Sequence, residues 1–232
     1  MSVHTGLLPR IGKPGEGLAF SSTWRVGTPE RQRAAVDAIA RAWQSRPWPH
    51  TGLLSYSVYI GTDGDTLMHY SQWRNHDAYE DFVRTERSDR NADIDAAVPG
   101  IERVALHKYE LYRSGHSGDS SRQPGCIVAV EVEFDGPDPR RQRAWIDTVF
   151  EALASDEPHP GGMGAHFHTS TDGTRVLNYA EWESEQAHVD ALAAPGDGVG
   201  SATEAWHRVQ HFPGLVRSTV TRYVPAISLS PR

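Results

Sequence analysis

Residues 170–188 read STDGTRVLNYAEWESEQAH, and residues 61–79 read GTDGDTLMHYSQWRNHDAY. In the later stretch Thr171-Asp172-Gly173 is a turn signal, because Asp-Gly supplies the positive φ that a tight hairpin requires. Arg175 to Trp182 then alternates as a strand, and Ser184 stands where a helix cap would, ahead of Ala187 and Leu192. Thr62-Asp63-Gly64, Tyr70, Trp73 and Ala78 match Thr171-Asp172-Gly173, Tyr179, Trp182 and Ala187, all displaced by 109 positions (172 − 63). A constant offset through a turn, a strand and a helix start marks a tandem duplication.

The same order of elements extends outward from each hairpin. In the first copy, Leu18–Val26 predicts a strand. Thr28-Pro29-Glu30 predicts a helix start, with Thr as cap and Pro in the first turn. Ala35, Ile39 and Ala42 keep helical spacing to about Trp43, and Pro47 and Pro49 close the helix. Leu53–Ile60 and the run ending at Trp73 are the hairpin strands. A short helix from about Asp77, a polar Arg- and Asp-rich stretch, and a strand from Ile101 to Tyr112 complete the copy. The second copy predicts strand Ile127–Phe134, helix Asp138 to about Ala154, strands Met163–Thr169 and Arg175–Trp182, helices from Ser184 and near Ser201–His211, and strand Leu215–Val224. Pro213-Gly214 matches Pro99-Gly100 at an offset of 114 (213 − 99), so the second copy holds five more residues, placed at 194–200. That Gly-rich insertion reads first as a surface loop that tolerates length change, with a lid as the alternative.

Each copy is therefore β-α-β-β-α-β, the ferredoxin-like pattern. The expected division is an arm at 1–17, a first domain at 18–113, a linker at 114–124, a second domain at 125–226 and a tail at 227–232. A four-stranded sheet of this kind has helices on one face only, and its bare face needs burial. The expectation is α+β: tandem ferredoxin-like repeats forming an intramolecular dimeric α+β barrel, a monomeric pseudo-dimer whose further homo-oligomerisation is open.

Composition bounds the partners. A net charge of −7 supplies no basic patch, so no nucleic acid is expected. No apolar run approaches the ~20 residues of a membrane span. The N-terminus shows no apolar signal region, and Cys126 is the single cysteine, which suits a reducing cytoplasm. Cys126, at a strand start, reads as a small core residue rather than a nucleophile.

The motif VLNYAEWESEQAH, with Phe212-Pro213-Gly214-Leu215 after it, closely resembles the core of the cofactor-independent antibiotic biosynthesis monooxygenases. The resemblance implies oxidation of a phenolic, anthrone-type aromatic polyketide to a quinone, with O2 as co-substrate and no metal or flavin. It puts the family's site Asn on Asn178, its Trp on Trp182 and its His on His168. The family Tyr becomes His188, and the family Arg has no clean equivalent, with Trp206 and Arg208 nearest. In the first copy the corresponding pocket residues are Tyr59, His69, Trp73 and Tyr79. Haem-degrading members of the fold carry a proximal His where this chain has Val83 and Leu192, which disfavours haem.

The chemistry suits these residue types. A phenolate or anthrone anion can give one electron to triplet O2, so the protein must accept a proton, stabilise an oxyanion and exclude water. Asn178 and Trp182 offer N–H donors, and His168 offers a group that exchanges protons near neutrality. Each also has a plainer reading: Trp73 and Trp182 as core packing, Asn178 and His69 as solvent-facing strand residues, Glu181-Glu183-Glu185 as solvated charge. His166 and His168 share a strand face, but no third ligand stands at recognisable spacing, and no metal is expected. A non-catalytic polyketide-binding protein is the alternative function.

Overall fold

Residues 3–5, 8–12, 17–49, 52–117, 122–155, 159–194 and 199–231 are described by the structure, a computed structural model. A short strand β1 (Val3–Thr5) comes first, inside the stretch read as an arm. The first repeat follows as β2 (Leu18–Arg25), α1 (Pro29–Gln44), β3 (Leu53–Gly61), β4 (Thr66–Trp73), α2 (His76–Thr85), α3 (Arg87–Ala97) and β5 (Glu102–His116). The second is β6 (Cys126–Phe134), α4 (Pro139–Ser155), β7 (Gly162–Ser170), β8 (Arg175–Trp182), α5 (Glu185–Ala193), α6 (Glu204–Gln210) and β9 (Leu215–Pro231). Two tandem α+β repeats of ferredoxin-like order are thus present. Among the described residues no helix is long and apolar enough to cross a membrane.

Local signals act as the sequence predicts. Gly64 and Gly173 both sit at φ 77°, which a Cβ would strain. Asp63 and Asp172 close these turns by accepting from the backbone N–H of Thr66 and Thr174, at 2.9 and 3.0 Å. Thr28, Asn75 and Ser184 each cap their helix by accepting from the N–H three residues on. Three segments differ from expectation. The polar stretch after α2 is helix α3, β5 runs on through 114–116 of the expected linker to His116, and β9 continues to Pro231 rather than stopping near Val224. The proposed insertion falls largely on 195–198, and the linker partly on 118–121; both lie outside the described residues.

The chain divides into two compact units, one of Met1–Lys108 with Tyr223–Arg232, the other of Tyr109–Arg222. In the first the strand order is β1-β9-β3-β4-β2-β5, and in the second β5-β7-β8-β6-β9. Each unit therefore includes the far half of the other repeat's last strand. Ile227 and Leu229, from the end of β9, are buried in the core that α1, α2 and α3 cover in the first unit. Trp145, Ile146 and Val149 of α4 pack with Trp206 and Val209 of α6 over Phe167 and Val176 of the second unit.

One polar device recurs in both units. Gln32 of α1 is 2% exposed and donates its amide to the carbonyls of Gly61 and Thr66, both at 2.9 Å. Gln142 of α4 is 1% exposed and donates likewise to Ser170 and Arg175. These carbonyls flank the Asp-Gly turns, so one buried side chain fastens the helix to the base of each hairpin and satisfies acceptors that would otherwise be orphaned. Gln142→Ala is expected to cost about 1–3 kcal/mol by leaving buried carbonyls unpaired. Chemical denaturation checks this; an unchanged midpoint would remove the fastening role.

Candidate functional site

The pleat of each sheet sorts the candidate residues by face. In the second unit Val176 and Trp182 of β8 lie in clusters with helix residues, so Asn178 between them is on the helix-covered face. Asn178 is opposite Phe167 in register, and Phe167 packs in the same helix-covered core. His166 and His168 alternate with Phe167 on β7 and belong to the other face. The structure brings Asn178, Trp182 and His188 to one side of the sheet and leaves His168 on the opposite side. His168 is fully buried, meets the Tyr109 ring edge-on and has Nδ1 3.0 Å from the carbonyl of His166. In the first unit the same alternation separates Tyr59 from His69 and Trp73.

His188 comes from α5 and is 4% exposed. Its ring meets Trp182 edge-on at 4.8 Å, and Arg222 of β9 donates its Nε–H to His188 Nδ1 at 2.9 Å. Nδ1 is thereby the acceptor, and the neutral ring carries its proton on Nε2. Burial and then the Arg222 charge push this imidazole down to about 4, so it stays neutral at physiological pH. Arg222 escapes sequence reasoning because it stands on a strand, 34 residues from His188. Trp206 is buried in the α4–α6 core, and Arg208 is an exposed residue 3.7 Å from Glu151.

The first unit has a cavity in the corresponding place, roughly 670 Å³ with its open mouth, lined among others by Ser22, Trp24, Tyr56, His69, Trp73 and Tyr79. Its polar groups are largely occupied by one another. Tyr56 Oη is 2.7 Å from His69 Nδ1, and Trp73 Nε1–H donates to Ser71 Oγ at 2.9 Å. Tyr79 stacks on Phe20 at 3.9 Å. His69 is 5% exposed; burial and then Arg103 push it down to about 3, and its Nε2 has no hydrogen-bond partner.

The offset of 109 turns this cavity into a control for the second unit. Tyr56, His69, Ser71 and Trp73 become Ala165, Asn178, Ala180 and Trp182. Both residues that engage the His and Trp in the first unit are alanine in the second. Asn178 Oδ1 is accordingly buried without a partner, and Ala180 offers Trp182 no hydroxyl of the kind that Ser71 offers Trp73. Trp24 becomes Val132 by register, since both face the strand position given by Leu67 and Val176. The second unit thus has smaller side chains at these positions and lacks the two internal hydrogen bonds, leaving Asn178 Oδ1 unpaired. As for metals, His166 is joined by His116 and Glu181, on neighbouring strands.

Comparison with known proteins agrees with this asymmetry. Residues 127–196, within the second repeat, match the family model for antibiotic biosynthesis monooxygenase. The curated tetracenomycin-F1 monooxygenase of Streptomyces glaucescens is 38% identical over 66 residues, 28% of this chain, and the match spans 57% of that relative's length. Among solved structures, an anthrone oxidase-like protein superposes with a TM-score of 0.68 at 18% identity, covering 93% of each chain. A candidate monooxygenase from Lactobacillus acidophilus gives 0.57 at 10% identity, covering 93% of this chain and 97% of that one. At these identities the structural likeness speaks to the fold.

Three buried histidines, His69, His168 and His188, have folded pKa values near 3, 4 and 4. Burial is the main cause for each, and the unfolded value is about 6.5. Between about pH 6.5 and 4 the unfolded chain binds more protons, so stability falls as pH is lowered through this window and is level above it. Thermal melts across pH should show a shallower acid slope for His168→Gln than for the unsubstituted protein. Parallel slopes would mean that His168 is not held neutral.

Proposed function

We propose that the second repeat is an oxygen-dependent monooxygenase site that converts a phenolic or anthrone-type aromatic polyketide to a quinone, without flavin, nicotinamide or metal. One observation carries the proposal: Ala165 and Ala180 withdraw from Asn178 and Trp182 the internal partners that the first repeat supplies to His69 and Trp73. Burying polar atoms without partners costs free energy, about 1–3 kcal/mol for each group. A site that keeps Asn178 Oδ1 so is suited to a ligand that supplies the missing hydrogen bond. The names of the relatives, a tetracenomycin-F1 monooxygenase and an anthrone oxidase-like protein, support an aromatic polyketide as that ligand.

In this reading the substrate hydroxyl donates to Asn178 Oδ1 and loses its proton to solvent water, and the oxyanion left behind accepts from Trp182 Nε1–H and His188 Nε2–H. Arg222, one hydrogen bond behind His188, adds a positive charge that favours the anion. His188 is a donor in this arrangement rather than the base, because its Nδ1 is occupied and its ring stays neutral above about pH 4. The anion gives one electron to O2, forming a carbon-centred radical and superoxide. Their recombination makes a C–O bond and a peroxide anion, which takes one proton back from solvent to become the hydroperoxide. Loss of water from the hydroperoxide leaves the carbonyl of the quinone, so O2 ends as one ketone oxygen and one water. His168, on the other sheet face, takes no part.

Aerobic turnover of an anthrone by purified protein in EDTA, without added flavin or nicotinamide, tests the reaction. Asn178→Ala is expected to lower kcat by about 10²–10³, the usual effect of losing one preorganised polar contact to the transition state. His69→Ala should change it little. Ala180→Ser restores the hydroxyl that Trp73 enjoys in the first repeat, and should slow turnover while leaving the melting temperature unchanged. Binding without turnover in all forms would convert the site to a polyketide-binding one.

A further inference from the structure

Three side chains outside this site converge on the opposite face of the second sheet. Register places His116 of β5, Gly164 of β7 and Glu181 of β8 in one row across three strands. His166, two residues along β7 from Gly164, shares their face. One ligand-type atom from each of His116, His166 and Glu181 lies within 4.8 Å of the others. Glu181 Oε2 is 3.7 Å from His166 Nε2, and the His116 and His166 rings lie 5.1 Å apart at 68°. We propose that these three residues bind a divalent transition-metal ion of the Zn2+ type, with a fourth position open to water.

The donor set is two imidazoles and one carboxylate, which suits Zn2+ and its first-row neighbours. With bonds of about 2.1 Å, a tetrahedral ion needs ligand atoms about 3.4 Å apart. The His166–Glu181 pair is close to that already. His116 is exposed, so its ring is free to turn inward and close the set. His166 is 2% exposed, and its Nδ1 is 2.9 Å from Ser114 Oγ. A serine hydroxyl can accept from Nδ1–H, which fixes the tautomer with a lone pair on Nε2 toward Glu181, the outer contact a metal-binding histidine requires. Gly164 keeps the space open: a Cβ there would lie 2.9 Å from Glu181 Oε2 and 3.3 Å from His116 Nδ1, between two of the ligands.

Such an ion would tie the end of β5 to β7 and β8, where His116 is the last residue of its strand. It would add stability by mass action as the free ion exceeds its dissociation constant. Its face of the sheet is the one that Asn178 and Trp182 do not share, so the site stands apart from the proposed oxidation.

The test is calorimetric titration of chelator-stripped protein with ZnCl2, together with melting curves and the visible bands of bound Co2+. One equivalent of Zn2+ is expected, with a raised melting temperature. His116→Ala and Glu181→Gln should abolish that binding while leaving the far-ultraviolet circular dichroism intact. Gly164→Ala should weaken it by crowding the ligands, and Ser114→Ala should weaken it about 10–100-fold by releasing His166. His207→Ala serves as control, because His207 and His211 stack at 3.9 Å on the surface as an alternative two-ligand pair. Absence of binding to the unsubstituted protein would overturn the proposal. So would binding that survives both His116→Ala and Glu181→Gln, or that disappears in His207→Ala.

Discussion

Side chains two apart on a strand share a face, and adjacent ones do not. Nearly everything distinctive in the second unit depends on that alternation, held in place by the antiparallel registers of β7 with β8 and β6 with β8. It sets Asn178 and Trp182 beneath the helices, and sets His166 and Glu181 on the reverse side. A shift by one residue would exchange these sets and expose the core. The register is protected at its turn: Gly173 takes the positive φ, Asp172 accepts from Thr174, and buried Gln142 holds the carbonyls on either side.

Within one backbone plan, the two repeats have taken different chemical courses. The first fills its helix-covered face with rings: Phe20 stacks on Tyr79, Trp43 on Tyr56, and His69 lies 4.0 Å from Trp24. The second holds valine and alanine at Val128, Val132, Ala165 and Ala180. Aromatic contacts stabilise a folded unit by about 0.5–1.5 kcal/mol per pair beyond burial. The first repeat therefore suits a stabilising role, whereas the second gives up these ring contacts at the matching positions. Duplication permits this separation, because a unit that keeps the fold stable relieves its copy of that demand.

Much of the architecture was legible in sequence because it rests on short-range signals. Asp-Gly turns, Thr28-Pro29 and Ser184 act within a few residues, and the 109-residue offset fixes the order of the rest. Helix α3 was not legible. Its buried face is made by Arg90 and Ile94, and Arg90 is accommodated by Glu86 at 2.8 Å, by the carbonyl of Pro47 and by the Trp43 ring. A buried arginine mimics a polar surface in any apolar periodicity. The candidate site was legible only in part. Asn178 and Trp182, four apart on one strand, share a face as their spacing requires; His168 follows from resemblance and lies on the reverse face. Arg222, His116 and the alanine replacements acquire meaning only through register across strands.

The path of β9 has a consequence for how the protein is made. Its end, from Tyr223 to Pro231, supplies the neighbour of β3 in the first unit, pairing Tyr56 with Leu229 and Gly61 with Tyr223. Those partners stand more than 160 positions apart (229 − 56, 223 − 61). During synthesis β3 must therefore wait, one edge unpaired, until the end of β9 has left the ribosome. Contacts of such long range slow folding, and a waiting strand edge invites pairing with another nascent chain. The N-terminal unit is in this sense finished only after the second has been made.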